Sequence, residues 1–148
     1  MILLTVVGQA YAAAGFRLED KPAQWAGGQF RFRKQLDDEL YAFIAYQHLP
    51  YPDPQPSRFR VPLARTDKSN PALTSHHSQF DRRTLSILVV QDFGVDILPA
   101  ADYWWQYKNT DELGRALAET GHLAAGYGIP WLNGDLKPPE RKKAESAP

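Results

Sequence analysis

The sequence predicts an α+β fold in which an antiparallel meander of about four strands packs against an N-terminal and a C-terminal helix. Apolar residues at helical spacing near both ends, alternating segments in the middle and the lack of βαβ alternation predict this fold. The length of 148 residues fits one hydrophobic core. We therefore expect a single domain over residues 1–136 and a polar tail over residues 137–148.

The first segment, MILLTVVGQAYAAAGF, is predicted to be an amphipathic helix. Its apolar residues recur at helical spacing, at Leu3, Val6, Val7, Ala10 and Ala14. Gly15 is a typical residue just beyond a helix end. A secretion signal is the alternative, because the apolar run ends in an A-x-A pattern, but no lysine or arginine precedes the run. We favour a retained helix and a cytoplasmic location.

The middle of the chain is predicted to supply the strands. QFRFRK alternates phenylalanine with arginine, and ELYAFIAYQHL follows it after a turn at Asp37 and Asp38. PYPDPQP is predicted to be a polyproline II connection to a third strand, SRFRVPLAR. A long surface loop is expected between Arg65 and Arg83. TLSILVVQDFG is the most continuously apolar segment, and we expect it to be a central strand.

The C-terminal helix has a predicted start and end. Asn109 and Glu112 have the spacing of a capping box, and Gly126, Gly128 and Pro130 are predicted to end the helix. A stripe of small side chains inside it predicts close packing against a neighbour, at Gly114, Ala118, Gly121 and Ala125.

Composition argues against several classes of function. Seventeen basic and seventeen acidic residues leave no net charge, so we expect neither a nucleic-acid nor a membrane partner. Without cysteine there is no thiolate nucleophile and no cysteine-ligated metal. No phosphate-binding glycine motif occurs, and DFG at residues 92–94 has no other kinase motif beside it. We expect no cofactor and no metal, and we favour a role without catalysis.

One candidate binding surface consists of arginines. If the first three strands form a meander, four arginines lie on one sheet surface: Arg31, Arg33, Arg58 and Arg60. Converging guanidinium groups suit a phosphate, a carboxylate or an acidic partner. The alternative is a solvated face whose charges serve only solubility.

A second candidate is an aromatic group around the C-terminal helix, namely Tyr103, Trp104, Trp105, Tyr107 and Trp131. Adjacent Trp104 and Trp105 cannot both point inward from an extended segment, so we expect one of them to be partly exposed and to contact a partner. The alternative is that all of them anchor the helix to the sheet.

A third candidate is the pair His76 and His77 in the predicted loop. Their spacing matches no metal motif, and a polar loop without a function explains them equally well. If the arginines hold an anionic substrate, either histidine is a candidate general base near neutral pH.

Several short segments together resemble an uncharacterised bacterial family, the domain of unknown function 4304. They are GFR, IAYQ, SRFRVPLAR, DYWW and GIPWL, and they span Gly15 to Leu132. The resemblance implies a small soluble bacterial α+β domain, and it supplies no catalytic residues.

The leading hypothesis is a non-enzymatic protein-interaction module of the accessory or immunity type, which binds through the aromatic group or the arginines. One alternative is a small-molecule binder or small enzyme for an anionic ligand at the arginine-lined sheet face. Another is a homodimer in which Trp104 or Trp105 seals the interface.

Overall fold

The computed structural model describes residues 2–67 and 81–139, and it confirms an α+β fold with a helix near each end. The strands are β1 (Arg17–Leu18), β2 (Gln29–Asp37), β3 (Leu40–Leu49), β4 (Ser57–Arg60), β5 (Pro62–Thr66), β6 (Asp81–Thr84) and β7 (Trp105–Tyr107). The helices are α1 (Gln9–Ala13), α2 (Pro22–Ala26), α3 (Leu85–Ile87), α4 (Thr110–Leu123) and α5 (Ile129–Asn133). Three π-helical segments adjoin them, Leu4–Gly8 before α1, Leu88–Asp92 after α3 and Ala124–Gly128 between α4 and α5.

The sheet is antiparallel and has seven strands within the two described ranges, so the prediction of about four was too low. Strand β3 is central and pairs with β2 on one side and with both β4 and β5 on the other. Strands β4 and β5 keep one register against β3, and only Val61 separates them, so the predicted third strand is one extended segment. Farther from β3, strand β7 pairs with β4, and strand β6 pairs with β5.

The segment predicted as a central strand, TLSILVVQDFG, is mostly helical. Thr84 ends β6, and residues 85–92 form α3 and the π-helical segment after it. The fully buried residues Leu85, Leu88 and Val89 are spaced three and four apart, which fits one face of a helix. A short run that is apolar throughout does not distinguish a buried strand from a buried helix by its periodicity, and here tertiary packing selects the helix.

The hydrophobic core lies between one face of the sheet and the helices. The N-terminal helical segment contributes Leu3, Val7 and Tyr11, all of them buried. Tyr11 packs edge-on against Phe32 of β2, with ring centroids 5.0 Å apart. From the other end of the chain, α4 contributes buried Leu117, Thr120 and Leu123.

A chain of buried hydroxyl groups links these helices to the sheet. Thr120 Oγ1 donates to the backbone oxygen of Leu117 at 2.8 Å, which uses the only hydroxyl hydrogen of Thr120. Tyr46 of β3 therefore donates to Thr120 Oγ1 at 2.8 Å, and Tyr11 donates to the Tyr46 hydroxyl at 2.7 Å. Burial raises the pKa of Tyr46 to about 12 and raises the pKa of Tyr11 well above its ordinary value.

The start of α4 is as predicted, but its end is not. The Asn109 side chain accepts from the Glu112 backbone amide at 2.9 Å, and Glu112 accepts from the Lys108 amide at 2.8 Å. The chain remains helical through Pro130, which lies in the first turn of α5 directly after the π-helical segment Ala124–Gly128. The helix ends instead at Gly134, which has a positive φ of 82°.

Two connections also differ from expectation. The proline-rich run after β3 forms a turn, in which the Gln55 amide donates to the Pro52 oxygen at 3.1 Å, so it is not a continuous polyproline helix. The predicted loop between Arg65 and Arg83 contains the end of β5 and most of β6. In residues 2–67 and 81–139 we find no helix with both the length and the apolar composition required for a membrane span.

Candidate arginine and tryptophan interface

The four predicted arginines lie on the sheet face opposite the helices. Arg31 and Arg33 of β2 stand across from Ala45 and Phe43 of β3. On the other side of β3, Arg58 and Arg60 stand across from Leu49 and Gln47. Residues directly opposite each other in a ladder share a face, and their alternating neighbours in β2 and β4 face the core. We call this surface the arginine face.

Each of these arginines lies over an aromatic ring. The guanidinium carbon of Arg31 is 4.7 Å from the ring centroid of Phe43, and that of Arg33 is 4.7 Å from the centroid of Tyr41. Such contacts join the positive charge to the negative face of the ring. Every one of these four arginines therefore has its guanidinium group against an aromatic ring.

Trp104 holds two of these arginines together. It immediately precedes β7, in which Trp105 stands across from Phe59 and Gln106 stands across from Arg58. The guanidinium carbons of Arg58 and Arg60 each lie 4.8 Å from the Trp104 ring. Arg60 Nε also donates to Gln47 Oε1 at 2.8 Å. We call this group of Arg58, Arg60 and Trp104 the tryptophan clamp.

Arg31 differs from the other three because it is only 2% exposed. Its Nε donates to Glu19 Oε1 in an ion pair, and Lys21 Nζ lies 3.6 Å from the other oxygen of that carboxylate. Arg31 therefore belongs to the structural core of this face, whereas Arg33, Arg58 and Arg60 remain partly accessible.

The adjacent tryptophans point to opposite sides of the sheet, as the extended backbone requires. Trp105 is 3% exposed, stacks on Phe59 with centroids 5.9 Å apart, and donates from Nε1 to Glu119 Oε1 at 2.8 Å. Tyr103 packs edge-on against Trp105 at 5.1 Å. Trp105 thus anchors α4 to the sheet with Tyr103 packed against it, and of these three residues Trp104 reaches the arginine face.

The remaining predicted site residues do not join the clamp. Trp131 is half-buried on α5, where it lines a depression together with Arg65 and Gly134. His76 and His77 lie outside the described residues. Among residues 2–67 and 81–139, no group of three or more histidine, aspartate or glutamate side chains is arranged to hold a metal ion.

The arginine face also contains a depression of about 500 Å³ beside the clamp. Arg60 and Arg82 line it together with Gln29, Gln47 and Thr84, and Gln29 and Gln47 stand across from each other in the β2–β3 ladder. Arg82 and Thr84 were not predicted as part of this surface, because Arg82 was assigned to the long loop and Thr84 to the start of the apolar segment TLSILVVQDFG. The alternation of DRRT, with Arg82 and Thr84 two residues apart, is the signal that places both on one face once β6 is recognised.

Comparisons with protein-family models, with curated proteins and with solved structures find no match to this chain. The resemblance to the family of unknown function 4304 therefore stays a prediction.

Proposed function

We propose that this protein is a non-enzymatic interaction module that binds an acidic segment of another protein on its arginine face. The observation that carries this proposal is the tryptophan clamp, in which one indole ring contacts two guanidinium groups. Tryptophan and arginine are the residue types most enriched in the energetic centres of protein interfaces. An accessory or immunity-type role in the bacterial cytoplasm is part of the same proposal.

The clamp reduces the entropic cost of binding. A free arginine side chain loses up to about 2 kcal/mol of rotamer entropy when it is fixed. Contact with the Trp104 ring already restricts Arg58 and Arg60, and the Gln47 side chain further fixes Arg60 through its Nε. A carboxylate that docks here therefore meets planar donors that are held in place.

The charge balance of the face also favours an acidic partner. Within the described residues, no carboxylate lies within ion-pair distance of Arg58 or Arg60, whereas Arg31 and Arg83 are paired with Glu19 and Asp92. In the same part of the chain, Arg58 Nε is buried and has no hydrogen-bond acceptor. The clamp thus presents positive charge that the described residues leave uncompensated, although the whole chain is neutral.

Titration with an acidic peptide tests the proposal directly. We expect an alternating glutamate and tyrosine peptide to change the tryptophan fluorescence, to which Trp104 contributes, and to bind in the micromolar range at low salt. The double variant Arg58→Ala with Arg60→Ala should bind at least about tenfold more weakly, since this removes both charged donors. High salt should weaken binding to the wild type.

The matched control is Arg115→Ala, which removes one positive charge from an exposed position on α4, away from the arginine face. Binding should change less than about twofold in this variant. An equal loss of binding in the control and the double variant would show that net charge alone attracts the peptide. Light scattering of the wild type tests the dimer alternative, for which Trp104 is the candidate because Trp105 is buried.

The depression beside the clamp supports a second candidate function, the binding of a small anion. Arg60 and Arg82 reach it from two strands, and within the described residues the buried Thr84 hydroxyl has no hydrogen-bond partner. Thermal unfolding with a panel of phosphates and carboxylates is the measurement. Stabilisation by one of them at millimolar concentration, lost in Arg82→Ala and retained in Arg115→Ala, would favour this function over protein binding.

A further inference from the structure

The depression beside the tryptophan clamp has a basic wall. Three arginines line it, Arg60 from β4 and Arg82 and Arg83 from β6. Among the described residues, no aspartate or glutamate lines it. Asp92 pairs with Arg83 from outside the wall, with Arg83 Nε 2.9 Å from Asp92 Oδ2. The described wall and Asp92 together therefore carry more positive than negative charge.

Arg60 has most of its hydrogen-bond donors available to a ligand. Its Nε donates to Gln47 Oε1 at 2.8 Å, and it forms no other hydrogen bond with the described residues. A guanidinium group has five N–H donors, so those on both Nη atoms are left. Contact with the Trp104 ring restricts the direction in which they point.

Gln47 also presents a donor at this depression. A guanidinium group has donors only, so the Gln47 atom that faces Arg60 Nε is the carbonyl oxygen. The NH₂ group of the same amide is therefore left for a ligand. Gln29 stands across from Gln47 in the β2–β3 ladder and lines the depression as well. The wall is thus rich in donors, which suits an anion with several acceptor oxygens.

This combination of charge and donors fits a phosphate monoester better than a carboxylate. A phosphate monoester carries a charge of about −1.5 to −2 at pH 7 and has three terminal oxygens. A carboxylate carries a single charge and has two oxygens. Planar guanidinium groups also match phosphate oxygens in bidentate geometry. At about 500 Å³, the depression has room for such a group.

The depression and the tryptophan clamp share Arg60, so one extended peptide reaches both. Arg58 lies two residues from Arg60 on the same face of β4, about 7 Å away at the usual rise of a strand. Side chains two residues apart in an extended peptide have the same spacing. A peptide that lies along β4 therefore brings one side chain to the depression and a second to Arg58.

We infer that the acidic segment bound by the arginine face carries a phosphorylated serine or threonine, whose phosphate lies in the depression between Arg60 and Arg82. The inference rests on the proposed function, since a carboxylate of the same segment binds at Arg58. A short phosphorylated side chain extends about as far from its backbone as a glutamate does, so both reach the face together. Phosphorylation of the partner then strengthens binding, because it adds charge and acceptor oxygens opposite a wall of donors.

Three peptides of equal length test this inference on the full chain. Each alternates glutamate and tyrosine, and the central glutamate is kept, replaced by serine or replaced by phosphoserine. Calorimetric titration at about pH 7.5 measures the affinities. The phosphoserine peptide should bind at least about tenfold more tightly than the serine peptide and at least about threefold more tightly than the glutamate peptide.

Variants at two arginines locate the phosphate. Arg82→Ala changes the depression but not the clamp, so it should reduce the advantage of the phosphoserine peptide over the serine peptide to below about threefold. Arg82→Lys keeps the charge but loses the planar fork; it should lose part of the advantage, and it serves if Arg82→Ala does not fold. Arg58→Ala changes the clamp only and should weaken both peptides by a similar factor. The control Arg115→Ala should keep both affinities within about twofold of the wild type.

Equal binding of the serine and phosphoserine peptides by the wild type would overturn the inference, and so would a full phosphoserine advantage in Arg82→Ala. In both cases the proposed function still stands if the glutamate peptide binds and the double variant Arg58→Ala with Arg60→Ala does not bind it. A single phosphoserine with blocked termini should bind at least about tenfold more weakly than the phosphoserine peptide, since it has no carboxylate for Arg58. Equal affinity of the two would instead favour a site for a small anion.

Discussion

The two faces of the sheet use alternate residues of the same strands and satisfy their polar groups in different ways. On the helix-covered face, the few buried hydroxyl groups bond to one another, from Tyr11 through Tyr46 to Thr120. On the arginine face, guanidinium groups lie over aromatic rings. Among the described residues, only some of these groups form an ion pair with a carboxylate. The first arrangement is complete within the chain, whereas the second leaves donors available to a ligand.

The contrast indicates that the helix-covered face of the sheet stabilises the fold, whereas the arginine face is available for binding. Removing an apolar side chain from the covered face leaves a cavity that its rigid surroundings fill poorly. Removing an accessible arginine from the other face loses only a contact that water can replace. Arg31 is the exception, because it lies on the arginine face but is buried like a core residue.

The largest predicted effect is a difference in the free energy of unfolding between variants at two neighbouring positions of β2. Phe32→Ala, on the covered face, should lower the free energy of unfolding by about 4 kcal/mol, because Phe32 is fully buried against Tyr11. Arg33→Ala, on the arginine face, should cost less than about 1 kcal/mol. Chemical denaturation measures both, and similar values would contradict the division between the faces.

The second prediction concerns the buried ion pair of Arg31 and Glu19. Glu19→Ala removes the carboxylate from a buried guanidinium group and should cost about 3 kcal/mol of unfolding free energy. Combining it with Arg31→Met should recover part of this loss, since the buried guanidinium group that Glu19 neutralises is then absent as well. A double variant whose loss equals the sum of the two single losses would show that the residues are not coupled. Lys21→Ala, at the outer side of Glu19, is the control and should have little effect.

The third prediction is an alkaline loss of stability from the hydroxyl chain. The folded-state pKa of Tyr46 is about 12, above its ordinary value of 10.0. Between these values the unfolded chain releases the Tyr46 proton and the folded chain retains it, so the free energy of unfolding falls as pH rises. The stability difference between wild type and Tyr46→Phe should therefore shrink above pH 10, as followed by urea unfolding. A difference that stays constant above pH 10 would refute the assignment to Tyr46.

The smallest predicted effect is a difference in the free energy of unfolding between alanine variants of two glycines of α4. Gly114 has open space around the position of a Cβ, so Gly114→Ala should raise the free energy of unfolding by about 1 kcal/mol through helix propensity. At Gly121 a Cβ would lie 3.1 Å from Val7 of the N-terminal segment, and Gly121→Ala should gain less than Gly114→Ala. A larger gain at Gly121 in thermal or urea unfolding would show that the helices can separate there at no cost.

The sequence predicted the parts of the fold that depend on local pattern. The period of two in QFRFRK and SRFRVPLAR placed four arginines on one face, and Asn109 with Glu112 marked the start of α4. The position of Trp104 and Trp105 on opposite sides also followed from the period of two. The helical state of residues 85–92 was missed, because its uniformly apolar composition fits a strand and a helix equally well.

The candidate site was predictable only in part. Arg58, Arg60 and Trp104 were each identified, but their meeting in one clamp requires β7 to pair with β4 across more than forty residues of intervening chain. The ion pair of buried Arg31 with Glu19 likewise joins residues of two different segments, and neither segment predicts it alone.

The sequence by itself determined which side chains share a face, where α4 begins and that a turn joins β2 to β3, because these follow from backbone sterics and capping within a few residues. The tertiary structure decided which distant residues meet: Trp104 with Arg58 and Arg60, His48 with Tyr107, and Tyr46 with Thr120. It also decided that an apolar run becomes a helix, because the burial of Leu85, Leu88 and Val89 against other elements stabilises that state, whereas the local preference of the run is ambiguous.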